Sequence, residues 1–369
     1  MEEGLMKTDL YQARFSLIYE LTSKQKLFLL KRFHSEEEIF HLDRKEIESV
    51  RELTALSRKA LWDAIADDVK WKASLDKVQQ ERMSIVFYGD SHYPKRLYGI
   101  ADPPYCLFVK GKLPEEERKA VAIVGARGSS PYGETVAAAL ATELAHTGIH
   151  VISGMAAGID GASHRGALEG HGTTYAVLGC GADICYPAGH RRLYHELIDT
   201  GGILTEYPPG TPPKALHFPM RNRLISGLCD VLVVVEAKKK SGSLITADFA
   251  LEQGKPVYAV PGRLTDALSA GTNWLIAQGA NPLYSIEEFL LDLKINQTIA
   301  GDEALFTESS LAKEERLVYS VLDFTPKYLE TIIDETAMGF SDVIKVLYTL
   351  LECGCVKEVY KNYFSRASL

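Results

Sequence analysis

Residues 121–168 read VAIVGARGSSPYGETVAAALATELAHTGIHVISGMAAGIDGASHRGAL, and this stretch decides the fold. Val121-Ala122-Ile123-Val124 is a short unbroken apolar run, the pattern of a strand buried on both faces, and Gly125 ends it where the chain must turn. Helical spacing follows at once. Val136, Ala139, Leu140 and Leu144 form an apolar stripe, and Gly148 closes the helix before His150-Val151-Ile152 opens a second strand. A second glycine-rich turn, at residues 153–158, then leads into another helix. Two adjacent strand-to-helix turns offer free backbone N–H groups and the positive ends of helix dipoles, so the expectation is a rim suited to an anion.

The rim lacks the dinucleotide-binding fingerprint. Gly125-Ala126-Arg127-Gly128 runs on into Ser129-Ser130-Pro131-Tyr132-Gly133, so the G-x-G-x-x-G spacing fails and Arg127 stands where a bare backbone would meet a pyrophosphate. A guanidinium there suggests phosphates gripped by a side chain, as nucleic-acid phosphates often are. The G-x-x-x-x-G-K-[ST] loop of P-loop nucleotide hydrolases is absent too, and no cofactor is expected.

With 369 residues, 46% of them hydrophobic, the chain has material for two or three domains and at least one large core. Its formal charge of −8 argues against a uniformly basic surface, so any nucleic-acid site must be a local concentration of cations. Residues 205–255 hold seven Lys and Arg against five Asp and Glu, and five of the seven fall in two short segments, Arg221/Arg223 and Lys238-Lys239-Lys240. The N-terminus is acidic and no apolar run approaches membrane-spanning length, which predicts a cytoplasmic protein without a membrane partner. Cys106, Cys180, Cys185, Cys229, Cys353 and Cys355 show neither paired zinc-ligand spacing nor disulfide density and read as reduced, mostly buried thiols.

The chain divides by composition. Residues 1–84 are charged, glycine-poor and helical in pattern, a small helical domain. Residues 85–293 alternate strands and helices, with further strands expected at 85–88, 106–109, 174–178, 202–205, 231–235 and 257–260. Residues 294–312 are polar and aperiodic, a linker, and residues 313–369 carry three helical segments and an alternating hairpin, the pattern of a winged helix. The fold class is therefore α/β: an extended Rossmann-like parallel sheet, covered on both faces, between a helical N-terminal domain and a C-terminal winged-helix module. Ligands of such sheets bind at the carboxyl ends of the strands.

Those strand ends carry VGARGSSPYG, SGMAAGID, AVLGCGADICYP, FPMRNRLISGL, VVVEAKKKSGSLITADFA and VYAVPG, and in this order the motifs resemble the bacterial DNA-processing protein A (Smf) family over residues 85–290. The resemblance implies a single-stranded DNA binding protein, without a catalytic step, that receives incoming DNA in natural transformation and passes it to the RecA recombinase, commonly as a homodimer. On this reading Arg127, with the backbone of Ser153 and Gly154, grips phosphate. Lys214 and Phe218 supply a cation and a stacking ring, followed by Arg221, Asn222 and Arg223, and Lys240, Ser241, Gly242 and Ser243 form a cationic turn in which Ser243 can cap a helix. Phe218 as core and Arg223 as a structural arginine paired with Asp230 or Glu236 are the competing readings. The chain departs from the family in three places. Ala157 stands where many members have a cation, Thr22-Ser23-Lys24-Gln25 replaces the G-x-G hairpin of a DNA-binding helix-hairpin-helix, and the tail mixes Lys357, Lys361 and Arg366 with Glu352 and Glu358.

Two rivals use the same rim: a sensor of small phosphorylated ligands, and a hydrolase of nucleoside-monophosphate glycosides. In the hydrolase loop the acid is a glutamate, for which this chain offers only Asp248. Ser153, Asp160 and His164 suggest a triad, but no G-x-S-x-G surrounds the serine; Asp160 and His164, four apart, are expected to pair at a helix start.

Overall fold

The structure is a computed structural model, which describes residues 7–67, 70–293, 312–323, 325–352 and 355–366. It divides into two compact units, Met1–Asn296 and Gln297–Leu369.

The first unit opens with α1 (Lys7–Ser16), α2 (Ser23–Phe33), α3 (Glu36–Phe40), α4 (Arg44–Ser49), α5 (Ala55–Ala66) and α6 (Lys70–Gln80). The starts of α2, α3, α4 and α5 are written into the sequence. Thr22 and Gln25 form a reciprocal capping box, Asp43 and Glu46 another, and Ser35 and Thr54 cap α3 and α5. Thr22-Ser23-Lys24-Gln25 is thus a helix start. Phe15, Leu29, Ile39, Ile47 and Leu61 are buried, in one cluster with Phe108, Ala176, Leu178 and Ile203 of the sheet that follows. The helices of residues 1–84 therefore share a core with that sheet.

The sheet is built from β1 (Ser84–Phe87), β2 (Cys106–Gly111), β3 (Ala120–Val124), α7 (Pro131–His146), β4 (His150–Ser153), α8 (Ile159–Glu169), β5 (Thr174–Val177), α9 (Arg191–Thr200), β6 (Gly202–Thr205), α10 (His217–Leu228), β7 (Val231–Val234), α11 (Gly242–Glu252), β8 (Val257–Ala259), α12 (Ala270–Ala277), β9 (Asn281–Pro282) and α13 (Ile286–Asp292). The strand order is β1-β2-β6-β5-β4-β3-β7-β8-β9. Seven strands, β6 to β9 in that order, are parallel, while β2 pairs antiparallel with β6 and β1 with β2. The expected parallel sheet thus gains an antiparallel edge.

Both faces are covered, and the alternation of side chains along β3 shows how. Val121 and Ile123 join Leu140 and Leu144 of α7 and Ile159 of α8 on one side, while Ala122 and Val124 join Leu224 and Leu228 of α10 and Ala247 of α11 on the other. From β3 the chain builds β4, β5 and β6 outward, then returns to lay β7 along the opposite edge of β3. This reversal leaves a crevice at the carboxyl ends of β3 and β7, the place where open parallel sheets take ligands.

The second unit runs α14 (Lys313–Val321), β10 (Lys327–Tyr328), α15 (Leu329–Thr336), α16 (Phe340–Glu352), β11 (Val356–Tyr360) and β12 (Tyr363–Arg366), with its strands ordered β10-β12-β11. Val318, Ile332, Val343, Leu347 and Phe364 make its core. Of the expected linker, residues 294–311 lie outside the described residues, as do Cys353 and Gly354. Among the described residues no helix is long and apolar enough to cross a membrane.

Helices α7 and α8 pack closely because Gly166 faces the turn of α7 at Ala138, whose carbonyl oxygen occupies the space a methyl group would need. Thr142 spans the contact by donating its hydroxyl to the carbonyls of both Ala138 and Gly166. Gly166→Ala is expected to cost about 1–3 kcal/mol through overpacking, despite the better helix propensity of alanine. Urea unfolding checks this, and an unchanged or raised midpoint would show that the helices can move apart freely.

Candidate functional site

A cavity of about 570 Å³ fills the crevice at the β3 and β7 ends, with Gly125, Arg127, Tyr186, Phe218, Asn222 and Ser243 among its lining residues. Arg127 is exposed, and its guanidinium lies 4.7 Å from the centroid of the Phe218 ring. Phe218 is half-buried in the first turn of α10 and leans at 33° against Tyr186, with the ring centroids 5.5 Å apart. Tyr186 is itself 40% exposed, so one open wall carries a cation and two aromatic faces. The opposite wall is the start of α11. Ser241, not Ser243, is its cap: the Ser241 hydroxyl accepts from the Ser243 N–H at 3.4 Å, and the exposed Gly242 opens the helix between them. That end of α11 presents backbone N–H groups and a favourable dipole to the cavity.

The other two helix starts each carry an internal acid nearby, which corrects the expectation drawn from the glycine-rich turns. Buried Glu236, just past β7, accepts the Ser130 N–H at 2.9 Å and the Ser130 hydroxyl, so an internal carboxylate occupies the N-terminus of α7. Gly133 is required beneath it, since a Cβ there would run into the Glu236 carboxylate. At α8, buried Asp160 accepts the Ala156 N–H at 3.4 Å. The start of α7 is thus filled by the protein's own acid, while Asp160, which lines the cavity, takes up an N–H of the turn leading into α8.

Several residues expected to touch a ligand are committed elsewhere. Arg221 is buried in α10 and donates to the carbonyls of Gly154, at 2.9 Å, and Val177, tying the ends of β4 and β5 together. Gly154 leaves room for that guanidinium, and burial pulls the Arg221 pKa down to about 10. Arg223 is also buried; it pairs with Glu206 at 2.7 Å and with Asp102 at 3.4 Å, whereas Asp230 pairs with Arg96 and Glu236 with Ser130. The structural reading of Arg223 holds with different partners. Its neighbour Asn222 lines the cavity and donates to the Gly242 carbonyl at 3.2 Å. Ser153 is buried, its hydroxyl donated to the Ile123 carbonyl at 2.6 Å, so it is no nucleophile. Lys214 is exposed and donates to the Tyr19 hydroxyl at 3.1 Å, and Lys240 is exposed but outside the cavity lining. Asp248 lies exposed on α11, also outside the lining.

Beneath the rim, Asp160 and His164 do not pair. Thr174 donates its hydroxyl to the Val151 carbonyl at 2.9 Å, so the contact of 2.7 Å between its oxygen and the His164 ring requires an Nδ1–H donor. His164 is therefore neutral with Nε2 bare, and burial holds its pKa down at about 3. Burial pushes the Asp160 carboxyl the other way, above its usual range, against the pull of the Arg221 charge. Among the described residues no group of three or more His, Cys, Asp or Glu is placed to hold a metal ion. Burial pushes the Cys180 thiol up to about 12.

Three participants escape a reading of the sequence. Tyr186 belongs to the AVLGCGADICYP motif, but nothing in its spacing sets it opposite Phe218. Glu236 stands out in sequence only as a partner for Arg223, and Tyr19 sits far away in the chain.

The family model for DNA recombination-mediator protein A matches residues 84–294. Protein Smf of Escherichia coli (strain K12) is 42% identical over 224 residues, 60% of this chain and 60% of its own length. The chain thus spans about three-fifths of that relative. DNA processing protein DprA of Bacillus subtilis (strain 168) is 41% identical over 217 residues, 58% of this chain and 73% of that protein. Among solved structures, DNA processing protein A from Streptococcus pneumoniae superposes with a TM-score of 0.65 at 32% identity, covering 78% of this chain and 98% of that one. DNA processing protein A from Helicobacter pylori, in a structure concerned with its single-stranded DNA binding mode, gives 0.53 at 32% identity, covering 58% and 97%.

The buried His164 makes the site's foundation acid-sensitive. Its folded pKa of about 3 lies below the unfolded value near 6.5, so its contribution is complete above pH ~6.5 and falls as pH drops toward 3, by about 1.4 kcal/mol per pH unit. Between pH 7.5 and pH 5 the wild-type protein should lose about 2 kcal/mol more stability than His164→Gln, which keeps a donor for Thr174 but cannot titrate. Urea midpoints at the two pH values measure the difference, and equal losses would show that His164 is protonated in the folded state.

Proposed function

The chain belongs to the DNA recombination-mediator protein A family, and from that membership and the form of the rim we propose that it binds single-stranded DNA without sequence preference. The observation that carries this reading is the wall formed by Arg127, Phe218 and Tyr186 opposite the start of α11, which stays open to the cavity. A strand offers one phosphate and one stackable base per nucleotide, and this wall meets both needs. Duplex DNA keeps its base faces stacked inside and has none to give Phe218. A small phosphorylated ligand is served less well, because Glu236 fills the start of α7 and the Asp160 carboxyl lines the cavity beside the start of α8.

Bound strands would then pass to the RecA recombinase in recombination or natural transformation, with no chemical step by this protein, in the cytoplasm. A homodimer suits that role, because one cavity holds few nucleotides, and two joined by symmetry extend the track and raise avidity. Exposed Leu264, Trp274, Tyr284 and Leu291, in the segment that follows β8, supply apolar surface for such an association. The second unit, read as a winged helix, is suited to a protein contact. Helix α16, the longest among its described residues, combines Lys345 with Asp342 and exposed Phe340 and Tyr348, a poor match to a phosphate backbone.

Titrating a fluorescent unstructured oligonucleotide at several salt concentrations should give a log–log slope of about −0.7 per neutralised phosphate. Phe218→Ala should cost about 1–3 kcal/mol of affinity with the slope unchanged, while Arg127→Ala weakens binding and flattens the slope. Melting temperatures of the same variants separate binding from folding. No binding at low salt, or tighter binding of duplex, would overturn the reading.

A further inference from the structure

We propose that Tyr19 of the N-terminal helical region, with Lys214, forms a second nucleotide subsite beside the cavity, so that this region takes part in holding the strand. The inference rests on the reading of the rim as a single-stranded DNA site and extends it to an element whose sequence shows no DNA-binding hairpin.

A cleft of about 210 Å³, lined by Tyr19, Ser23, Tyr207, Leu216, His217 and Met220 among others, lies at the junction of the N-terminal helices and the first turn of α10. His217 and Phe218 are adjacent in that turn, so it separates the cleft from the cavity. The hydrogen bonds along the cleft have a fixed direction. The Gly179 carbonyl can only accept, so His217 donates to it from Nδ1, at 3.0 Å, and its Nε2 must accept. Tyr19 therefore donates its hydroxyl proton to Nε2, at 2.7 Å, and its oxygen accepts from the Lys214 ammonium at 3.1 Å. Lys214, His217 and the Gly179 carbonyl thus hold Tyr19 in place against the rim.

What this arrangement presents outward is an aromatic surface and a cation. Tyr207 stacks on His217 with centroids 4.2 Å apart, and the ring of Tyr19 stands 6.4 Å from Tyr207 with the Lys214 ammonium 4.9 Å from its centroid. Of the acids nearby, Arg223 pairs with both Glu206 and Asp102, and Ser23 donates its hydroxyl to Glu206, while Glu20, next to Tyr19, is exposed. Lys214 pairs with no carboxylate among the described residues and is exposed. Leu216 is 81% exposed and Met220 44%, so the surface from Phe218 to Tyr19 is apolar. A cation next to aromatic faces along an apolar path matches a further nucleotide of the same strand, its base on the rings and its phosphate at Lys214.

The test is a length series of oligodeoxythymidylates titrated into the full chain and its variants. Short strands that occupy the cavity alone should bind wild type and Tyr19→Leu alike, while longer strands should bind Tyr19→Leu about tenfold more weakly. Tyr19→Phe, which keeps the ring, should retain most of that increment, and Lys214→Gln should flatten the salt slope for long strands by about 0.7. Should Tyr19→Leu fail to fold, photocrosslinking of wild type to strands carrying a single 5-iododeoxyuridine decides: attachment at Tyr19 from positions outside the cavity supports the subsite. Wild-type affinity of Tyr19→Leu for long strands, or crosslinks confined to Tyr186 and Phe218, would overturn it while leaving the rim intact. Failure of every strand to bind wild type would instead overturn the reading of the rim, and the subsite with it.

Discussion

The carboxylate of Glu236 shapes the rim on which the functional reading depends. It reaches from the end of β7 across the switch point of the sheet to the start of α7, where it meets both the N–H and the hydroxyl of Ser130. An anion at a helix N-terminus is stabilised by the dipole and by the unpaired N–H groups there. Because that anion belongs to the protein, the start of α7 cannot also take a ligand phosphate. Arg127, in the middle of that loop, is left exposed against Phe218. Gly133 follows from the same contact, since no side chain fits between the helix start and the carboxylate.

The buried arginines do related work inside. Arg221 fastens the ends of β4 and β5, and Arg223 fastens α10 to Glu206, which also receives the hydroxyl of Ser23 from the N-terminal helices. Removing either guanidinium would leave buried acceptors without a partner or a buried carboxylate without its counter-charge, a costly change whatever the ligand. Loss of DNA affinity on mutating Arg221 or Arg223 therefore says little about contact with DNA, whereas Arg127 and Lys214 carry exposed charge.

Much of this fold was legible. Unbroken apolar runs such as residues 121–124 and 202–205 announce strands buried on both faces, and the glycine after Val124 marks the turn. Strand β9 and helices α12 and α13 were not individually foreseen, because a two-residue strand ending in Pro282 has no periodicity to detect. The antiparallel pairing of β1 and β2 is likewise invisible in a local pattern. At the site, sequence revealed which residue types converge but not which way they face. Phe218-Pro219-Met220-Arg221-Asn222-Arg223 reads as one basic aromatic segment, yet as the first turns of a helix it sends Phe218 to the cavity and buries both arginines. Burial and long-range partners decided the roles of Arg223, Glu236 and Tyr19, and neither is encoded within a short window of sequence.

The central claim is that the rim is built for a strand in preference to an isolated nucleotide. Competition against a bound fluorescent oligonucleotide tests it most directly, with unlabelled single strand, nucleoside monophosphates and a dinucleotide as competitors at matched ionic strength. The account predicts displacement by the strand at about the protein's own affinity for it, and none by mononucleotide or dinucleotide at concentrations far above that. Displacement by a nucleoside monophosphate or dinucleotide at concentrations comparable to the strand would contradict it, since a single phosphorylated ligand would then satisfy the rim as well as a strand does.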